Sequence, residues 1–264
     1  SILIAVILLT VLVPLNGLFQ RRQPSDLGLI PDGASSVPEA GSSINVTNVL
    51  EEGRVVDKEW AATEWTLSNA LRTARYWWLA ASYSTGLYIW YAVQVHQTRF
   101  LIDVGISAQT AAVGLGLVGF FGVGGQIGIG YFSDRMGREW GWTISVLGFL
   151  VTYVLLMLLS IWPQVWLMYF MSCMQGLVGY GLASVFASVP VELFAGRRYG
   201  TIFGLLGAFA GLGAAFGPWF TGWLFDQMGN YNIAFWVAIV MCVLSIVTMW
   251  LAAPRKVRLV AGQV

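Results

Sequence analysis

Polar side chains inside the apolar stretches of this chain are the residues whose types and spacing could do chemistry. Only 10 % of the 264 residues are charged, and His96 is the only histidine. An imidazole changes charge close to neutral pH, so His96 is a candidate to sense or pass protons. The alternative interpretation is a histidine at the membrane interface that is hydrogen-bonded to the backbone.

A second set of candidates consists of neutral hydrogen-bonding side chains within apolar segments. Tyr88, Tyr91 and Gln94 recur at helical spacing, and Gln126 and Gln175 lie in later segments. Phenol hydroxyls and amides can hydrogen-bond a small polar solute while aromatic faces cover it, so these residues are candidates for a substrate pathway. Hydrogen bonds between helices, or anchoring at the membrane interface, explain the same residues without a ligand.

The densest cluster of charge and glycine is the stretch GYFSDRMGRE at 130–139, between two long apolar runs. Gly130 permits close helix packing, and Gly137 permits a tight turn. Asp134 suits a helix N-terminus, and Arg135 and Arg138 place positive charge where a membrane helix leaves the bilayer. The stretch therefore predicts a short polar connection between two membrane helices.

Catalytic, metal-binding and cofactor-binding patterns are missing from the sequence. Cys173 and Cys242 lie in separate apolar runs without C-x-x-C or H-x-x-x-H spacing, so neither a metal site nor a disulfide is expected. No nucleophile–base constellation is visible, so we expect no enzyme and no cofactor. A net charge of +1 gives no support for a nucleic-acid partner.

Composition identifies the elements that must position these side chains. Hydrophobic residues make up 57 % of the chain and the mean hydropathy is +0.71, whereas a soluble domain has about a quarter charged residues. We therefore predict an all-α polytopic membrane protein in the lipid bilayer. Runs long enough to span it occur at about 1–19, 76–97, 107–132, 141–162, 164–189, 200–224 and 232–252.

These runs divide the chain into four predicted parts. Residues 1–19 form a first transmembrane helix, 20–75 a linker, 76–253 a bundle of six helices and 254–264 a tail. The middle of the linker has the composition of a flexible segment. Its end places Trp60, Leu67, Leu71 and Trp78 on one helical stripe, which predicts an interfacial helix leading into the second span.

Lysine and arginine lie almost entirely on one side of the predicted spans. Thirteen fall in the linker, the tail and the loops of the same side, and Arg99 alone falls on the other. The positive-inside rule then predicts that the linker and the C-terminus are cytoplasmic.

An internal repeat agrees with this topology. GYFSDRMGRE echoes GWLFDQMGNY, which follows the sixth span, at Gly222, Asp226, Met228 and Gly229. Two three-helix units of opposite orientation are an inverted repeat, in which only the cytoplasmic copy keeps its arginines.

The loop at 130–139 resembles the signature Gly-x-x-x-Asp-Arg-x-Gly-Arg of the major facilitator superfamily of transporters. The resemblance implies two six-helix halves joined by a cytoplasmic linker. On that pattern residues 1–19 resemble the last helix of an N-terminal half that is missing from this fragment, and 76–253 resemble the C-terminal half. It also implies a gating role for Gly130, Asp134, Arg135, Gly137 and Arg138.

A narrower resemblance is to the monocarboxylate transporters and oxalate/formate antiporters. Its marks are RRQPSDLGLIPDG after the first span, IDVGISAQTAA after His96, FAGRRYGTIFG before the sixth span and GPWFTGWLFDQMG at its end. Members of that group often carry an arginine where this chain has Gln126, sometimes with an acid one turn earlier, where this chain has Gly122. The lysine of the oxalate exchangers is also absent from the sixth span.

Together these resemblances imply secondary active transport of a small organic anion, similar to a monocarboxylate, by alternating access. The protein would be a symporter or antiporter of a bacterial inner or plasma membrane, with protons as a possible coupling ion. One alternative is a transporter or exporter of a neutral or amphipathic solute. Another, of a different class, is a membrane sensor that has a transporter fold and moves nothing.

Overall fold

The computed structural model describes residues 55–260 and, apart from these, only Thr10 and Pro14. The predicted first span at 1–19 and the linker up to residue 54 therefore lie outside the described part. Within 55–260 the chain is helical, and the isolated antiparallel bridge between Val55 and Arg258 is the only β-type pairing there.

Helices of 5 to 30 residues follow one another with short connections throughout the described part. They are α1 (Lys58–Ala62), α2 (Leu67–Leu71), α3 (Ala74–Asp103), α4 (Ala108–Met136), α5 (Arg138–Ile161), α6 (Val165–Leu177), α7 (Leu182–Phe186), α8 (Ser188–Phe194), α9 (Tyr199–Met228) and α10 (Asn232–Ala252). Two 3-10 turns, Gly179–Gly181 and Pro254–Lys256, lie before α7 and after α10.

Five stretches of the described chain are long and apolar enough to cross a membrane. They are Ala108–Met136, Arg138–Ile161, Val165–Phe194, Tyr199–Met228 and Asn232–Lys256, and they match five of the seven predicted spans. The predicted span at 76–97 lies within α3, whose 30 residues are long enough. Its many Tyr, Ser, Thr and Gln side chains lower its hydropathy, so the predicted count of seven spans is not confirmed.

Helix α3 packs mainly against α9 and α10, and small residues allow the contact with α9 to be close. The Ser84 hydroxyl donates to the carbonyl of Phe209 over 2.7 Å. A Cβ atom on Gly217 would lie 2.6 Å from the carbonyl oxygen of Tyr88, so the two backbones touch there. Such backbone-to-backbone packing is a common way for helices to associate in lipid.

Buried hydrogen bonds join α3 to α5 and α10. Ser82 and Ser245 each donate a hydroxyl to the other's carbonyl oxygen over 2.9 Å, and the Trp142 indole donates to the Ser245 hydroxyl over 3.1 Å. The Tyr153 hydroxyl donates to the Ile89 carbonyl over 2.6 Å. These bonds satisfy polar groups that have no access to water, so they fix how the three helices pack.

The predicted span at 164–189 is not one continuous helix. After α6 the chain passes through the 3-10 turn Gly179–Gly181 and continues as α7 and α8 to Phe194. Helix α5 packs closely against this turn through Gly148, because a Cβ atom on Gly148 would lie 2.7 Å from the Gly179 nitrogen. We call residues 178–181 the helix break. A 3-10 stretch inside a long helix is often a functional hinge.

The end of the linker is also more broken than the predicted interfacial helix. It forms α1, α2 and the start of α3, and the side chains of Asp57, Thr66 and Thr73 cap the three helices in turn. Three N-cap residues within 17 positions explain the interruptions, because each favours a new helix start.

Candidate functional site

A cluster of charges lies where α4 ends and α5 begins. Gly137 connects the two helices with φ +114°, a backbone conformation that favours glycine. Arg138 follows at once, and its Nη1 lies 2.5 Å from an Asp134 carboxylate oxygen and donates to the Ser133 hydroxyl over 2.7 Å. Its Nε donates to Glu192 over 2.7 Å. We call Asp134, Arg138 and Glu192 the charge cluster.

The charge cluster ties three helices together at a largely buried position. Asp134 belongs to α4, Arg138 to α5 and Glu192 to α8. The side chains of Arg138 and Glu192 are 12 % and 11 % exposed, whereas that of Asp134 is 55 % exposed. A buried charge is stable only beside a group of opposite charge. Movement of α8 away from α5 would separate Glu192 from Arg138, so the pair holds the two helices together.

Sequence reasoning missed Glu192, although a signal was available. It is the only acidic residue between Glu139 and Asp226, and most of that interval is apolar. A lone carboxylate in such a stretch must be paired, and the arginines at 130–139 and at 197–198 were the candidate partners.

The other predicted residues of the loop signature lie beside the charge cluster. Arg135 is exposed, and its guanidinium lies 4.4 Å from the centre of the Tyr131 ring. Gly130 faces α7, since a Cβ atom there would lie 3.4 Å from the Cβ of Ser184. The structure therefore separates the two arginines, because Arg138 bridges helices while Arg135 contacts its own helix.

A second ionic contact, between Glu139 and Arg255, joins α5 to the segment after α10. Glu139 is 2 % exposed and accepts from the Arg255 backbone nitrogen over 3.0 Å and from its Nη1 over 3.1 Å. The Val56 nitrogen in turn donates to the Val257 carbonyl over 2.9 Å. The segments before α1 and after α10 thus pair with each other beside the loop signature.

The predicted pathway residues occupy different surroundings. Gln94 accepts a hydrogen bond from the Tyr180 hydroxyl over 2.6 Å. Tyr91 lines a cleft of about 210 Å³ together with Leu87, Trp90, Leu182, Ala183 and Phe186. The structure therefore brings Tyr91 and Gln94 to adjoining places on one face of α3, opposite the helix break and α7.

The remaining three candidates lie elsewhere. Tyr88 is 3 % exposed and packs between α3 and α9, close to Thr221. Gln126 is half-buried on α4, and Gln175 is completely buried on α6. None of the three lines the 210 Å³ cleft.

Tyr180 is the cleft-side residue that sequence reasoning missed. Its ring stacks on Trp90 with the centroids 4.5 Å apart. It sits within the helix break, between Gly179 and Gly181, and that Gly-Tyr-Gly sequence was the available signal.

His96 lies at the opposite end of the bundle from the charge cluster. Its Nε2 is 2.9 Å from the Pro218 carbonyl oxygen of α9, and its Nδ1 is 3.3 Å from the Tyr231 hydroxyl. A carbonyl oxygen only accepts, so Nε2 carries the proton in the neutral ring and Nδ1 accepts from Tyr231. Arg99 and Asp103 form an exposed ion pair of 3.0 Å one turn further along α3.

Comparison with known families gives one result. The family described as Major Facilitator Superfamily matches residues 101–263, which is more than half of the chain. No curated protein matches the sequence.

Proposed function

This chain belongs to the major facilitator superfamily, and from that membership we propose that it carries a small organic solute across a membrane by alternating access. Membership makes it an integral membrane transport protein. The proposal adds secondary active transport, as symport or antiport, with α3 counted as a sixth span of a C-terminal six-helix bundle. The positive-inside rule further supports a cytoplasmic location for the charge cluster.

The charge cluster is the observation that carries the mechanism. Alternating access needs contacts that form in one state and break in the other, since a state is favoured only by interactions that distinguish it. Arg138 bonds to α4 through Asp134 and to α8 through Glu192. We infer that these bonds stabilise the state in which the cytoplasmic ends of the helices are closed.

The cleft beside Gln94 supports a solute site along α3 and α7. It combines aromatic side chains with hydrogen-bonding groups, as small-molecule sites commonly do. The helix break lies next to α7, on the side of the cleft that faces α3. Interrupted helices are frequent at transporter binding sites. Solute contacts there are well placed to change the angle between α6 and α7.

The monocarboxylate class implied by resemblance needs a cation beside the substrate. In the described chain every lysine and arginine lies in a loop or in the first or last two turns of a helix. A carboxylate bound near mid-membrane would have to pair with a residue outside 55–260. That class stays a prediction, favoured by the sequence marks around the first, second and sixth spans.

Solute flux separates transport from the sensor alternative. The full-length protein in proteoliposomes should accumulate a labelled solute, and Asp134→Asn should lower turnover while equilibrium affinity stays within a few-fold. The physical reason is that Asp134 lies at a helix end, remote from the cleft, and biases only the closed state. Asp103→Asn, at the opposite end of the bundle, is the matched control.

Two results would contradict the proposal. A broad panel of organic anions and neutral solutes is tested for both binding and flux. Saturable binding of a solute without any flux would favour a sensor. A large loss of affinity in Asp134→Asn with normal turnover would assign the charge cluster to substrate binding rather than gating.

A further inference from the structure

The contact between Gln94 and Tyr180 has the chemistry of a ligand subsite. We propose that these two side chains bind the hydroxyl group of a small uncharged solute, whose cyclic body lies in the adjoining cleft. This inference rests on the proposed transport function and favours its neutral-solute alternative over the monocarboxylate class.

The two side chains form a single polar point between α3 and the helix break. The Tyr180 hydroxyl donates to Gln94 Oε1 over 2.6 Å, and no other hydrogen bond of the Gln94 amide is seen within the described residues. Both side chains are half-buried, so a solute can reach them. An amide has two donor hydrogens and two acceptor lone pairs, so Gln94 retains unused hydrogen-bonding capacity.

The cleft next to this point is apolar and aromatic. Trp90 belongs to both places, because it stacks on Tyr180 and also lines the cleft. The other residues that line the cleft are Leu87, Tyr91, Leu182, Ala183 and Phe186. The cleft has a volume of about 210 Å³, which is below the roughly 300–1,000 Å³ of sites that hold drug-sized ligands. That space suits one ring flanked by aromatic faces.

The charge of the solute follows from the lining. No charged side chain within residues 55–260 lines the cleft, and burial of a carboxylate in apolar surroundings is unfavourable without a paired cation. The Gln94 amide hydrogens can donate to a carboxylate, but a neutral hydrogen bond does not replace the paired cation that a buried carboxylate requires. A hydroxyl both donates and accepts, so it can pair with Gln94 in either orientation of the amide.

Gly122 explains why Tyr180 can take this position. A Cβ atom on Gly122 would lie 2.5 Å from Cδ2 of the Tyr180 ring, so any larger residue displaces that ring. The ring thus fills the space that a side chain from α4 would occupy. The glycine and the tyrosine together keep that side of the subsite free of charge.

Binding is tested with three probes that differ in charge and hydrogen bonding. Resorcinol is an uncharged ring with two hydroxyls, benzoate is a ring with a carboxylate, and lactate is a small carboxylate without a ring. The full-length protein, labelled with 5-fluorotryptophan, is titrated with each probe in nanodiscs and followed by fluorine NMR. Trp90→Phe identifies the Trp90 resonance, which reports on the stack with Tyr180.

Resorcinol should shift the Trp90 resonance saturably, whereas benzoate and lactate should not. Tyr180→Phe and Gln94→Leu should each weaken resorcinol about five- to tenfold, the effect of one neutral hydrogen bond. Gly122→Ala should move the Trp90 resonance before any probe is added. Tyr169→Phe, a half-buried tyrosine of α6 that does not line the cleft, is the matched control and should bind resorcinol normally.

Flux measurements on the same protein keep this test independent of the transport proposal. Saturation by benzoate or lactate, or no saturable response to resorcinol, overturns the subsite even if the protein transports a solute. Equal binding by Tyr180→Phe, Gln94→Leu and the control also overturns it. A Trp90 response to resorcinol in a protein that moves no solute would support the subsite and refute transport.

Discussion

At the scale of single residues, the Arg138–Glu192 pair links the loop signature to a distant part of the chain. Both side chains are mostly buried, and loss of the Glu192 charge leaves Arg138 with Asp134, whose side chain is 55 % exposed, as its carboxylate partner in the charge cluster. Breaking a buried pair costs about 3–5 kcal/mol when the remaining charge has no other partner, so we expect a smaller cost here. We expect Glu192→Gln to lower the unfolding midpoint of the purified protein clearly. Glu64→Gln, an exposed carboxylate near α2, should leave it unchanged; equal midpoints for both variants would contradict this prediction.

His96 offers a second prediction at this scale, because the sequence contains no other histidine. Burial raises the pKa of the Tyr231 phenol, so its hydroxyl stays protonated at neutral pH and can donate to Nδ1. We expect the neutral ring to carry its proton on Nε2, bonded to the Pro218 carbonyl. Nitrogen NMR of protein labelled with ¹⁵N-histidine, purified without a histidine tag, reads the tautomer directly. A neutral ring protonated on Nδ1 would contradict the assignment.

Residue contacts of short range were accessible from the sequence, and those of long range were not. Asp134 and Arg138 are only four positions apart, on either side of the Gly137 turn between α4 and α5, so their pairing is local in the sequence. Glu192 lies 54 positions from Arg138, and Tyr180 lies 86 positions from Gln94. Local periodicity does not encode either pairing: the sequence singles out Glu192 and the Gly-Tyr-Gly turn, but the fold is needed to identify their partners.

At the scale of elements, the lengths of the apolar runs located the helices well. The predicted run 232–252 coincides with α10, and 107–132 falls within four residues of α4 at either end. Hydropathy did not reveal the helix break, because three residues are too few to interrupt a long apolar run such as Val165–Phe194. It depends on packing against α4 and α5, which a single sequence does not display.

Packing at the helix break distinguishes its two glycines, and this gives a prediction for the element. A Cβ atom on Gly181 would lie 2.5 Å from Ile129 of α4, whereas one on Gly179 would meet the Phe149 ring at an ordinary 3.4 Å. Gly181→Ala should therefore destabilise the protein by about 1–3 kcal/mol through overpacking. Gly179→Ala, two positions away, should have little effect on the unfolding midpoint. The reverse order of the two variants would contradict the packing of α7 against α4.

At the scale of the whole molecule, the two ends of the described bundle are held by different interactions. One end has the charge cluster, the Glu139–Arg255 contact and the pairing of Val56 with Val257. The other has His96 bonded to Pro218 and Tyr231, and the exposed Arg99–Asp103 pair. The two loops of the repeat differ in charge, because only the first contains arginines, although Gly137 and Gly229 both adopt positive φ. We infer that the ion-paired end is the cytoplasmic one, as the distribution of lysine and arginine predicts.

Sidedness can be measured with single cysteines at the two ends. Arg197, in the exposed loop between α8 and α9, lies at the same end as the charge cluster, and Gln164 lies between α5 and α6 at the opposite end. In a background with Cys173→Ser and Cys242→Ala, a maleimide that cannot cross membranes should label Gln164→Cys in intact cells. Arg197→Cys should react only after permeabilisation, because positive loops are retained in the cytoplasm. Labelling of Arg197→Cys in intact cells would reverse the orientation and place the charge cluster outside, where it would stabilise the opposite state of the transport cycle.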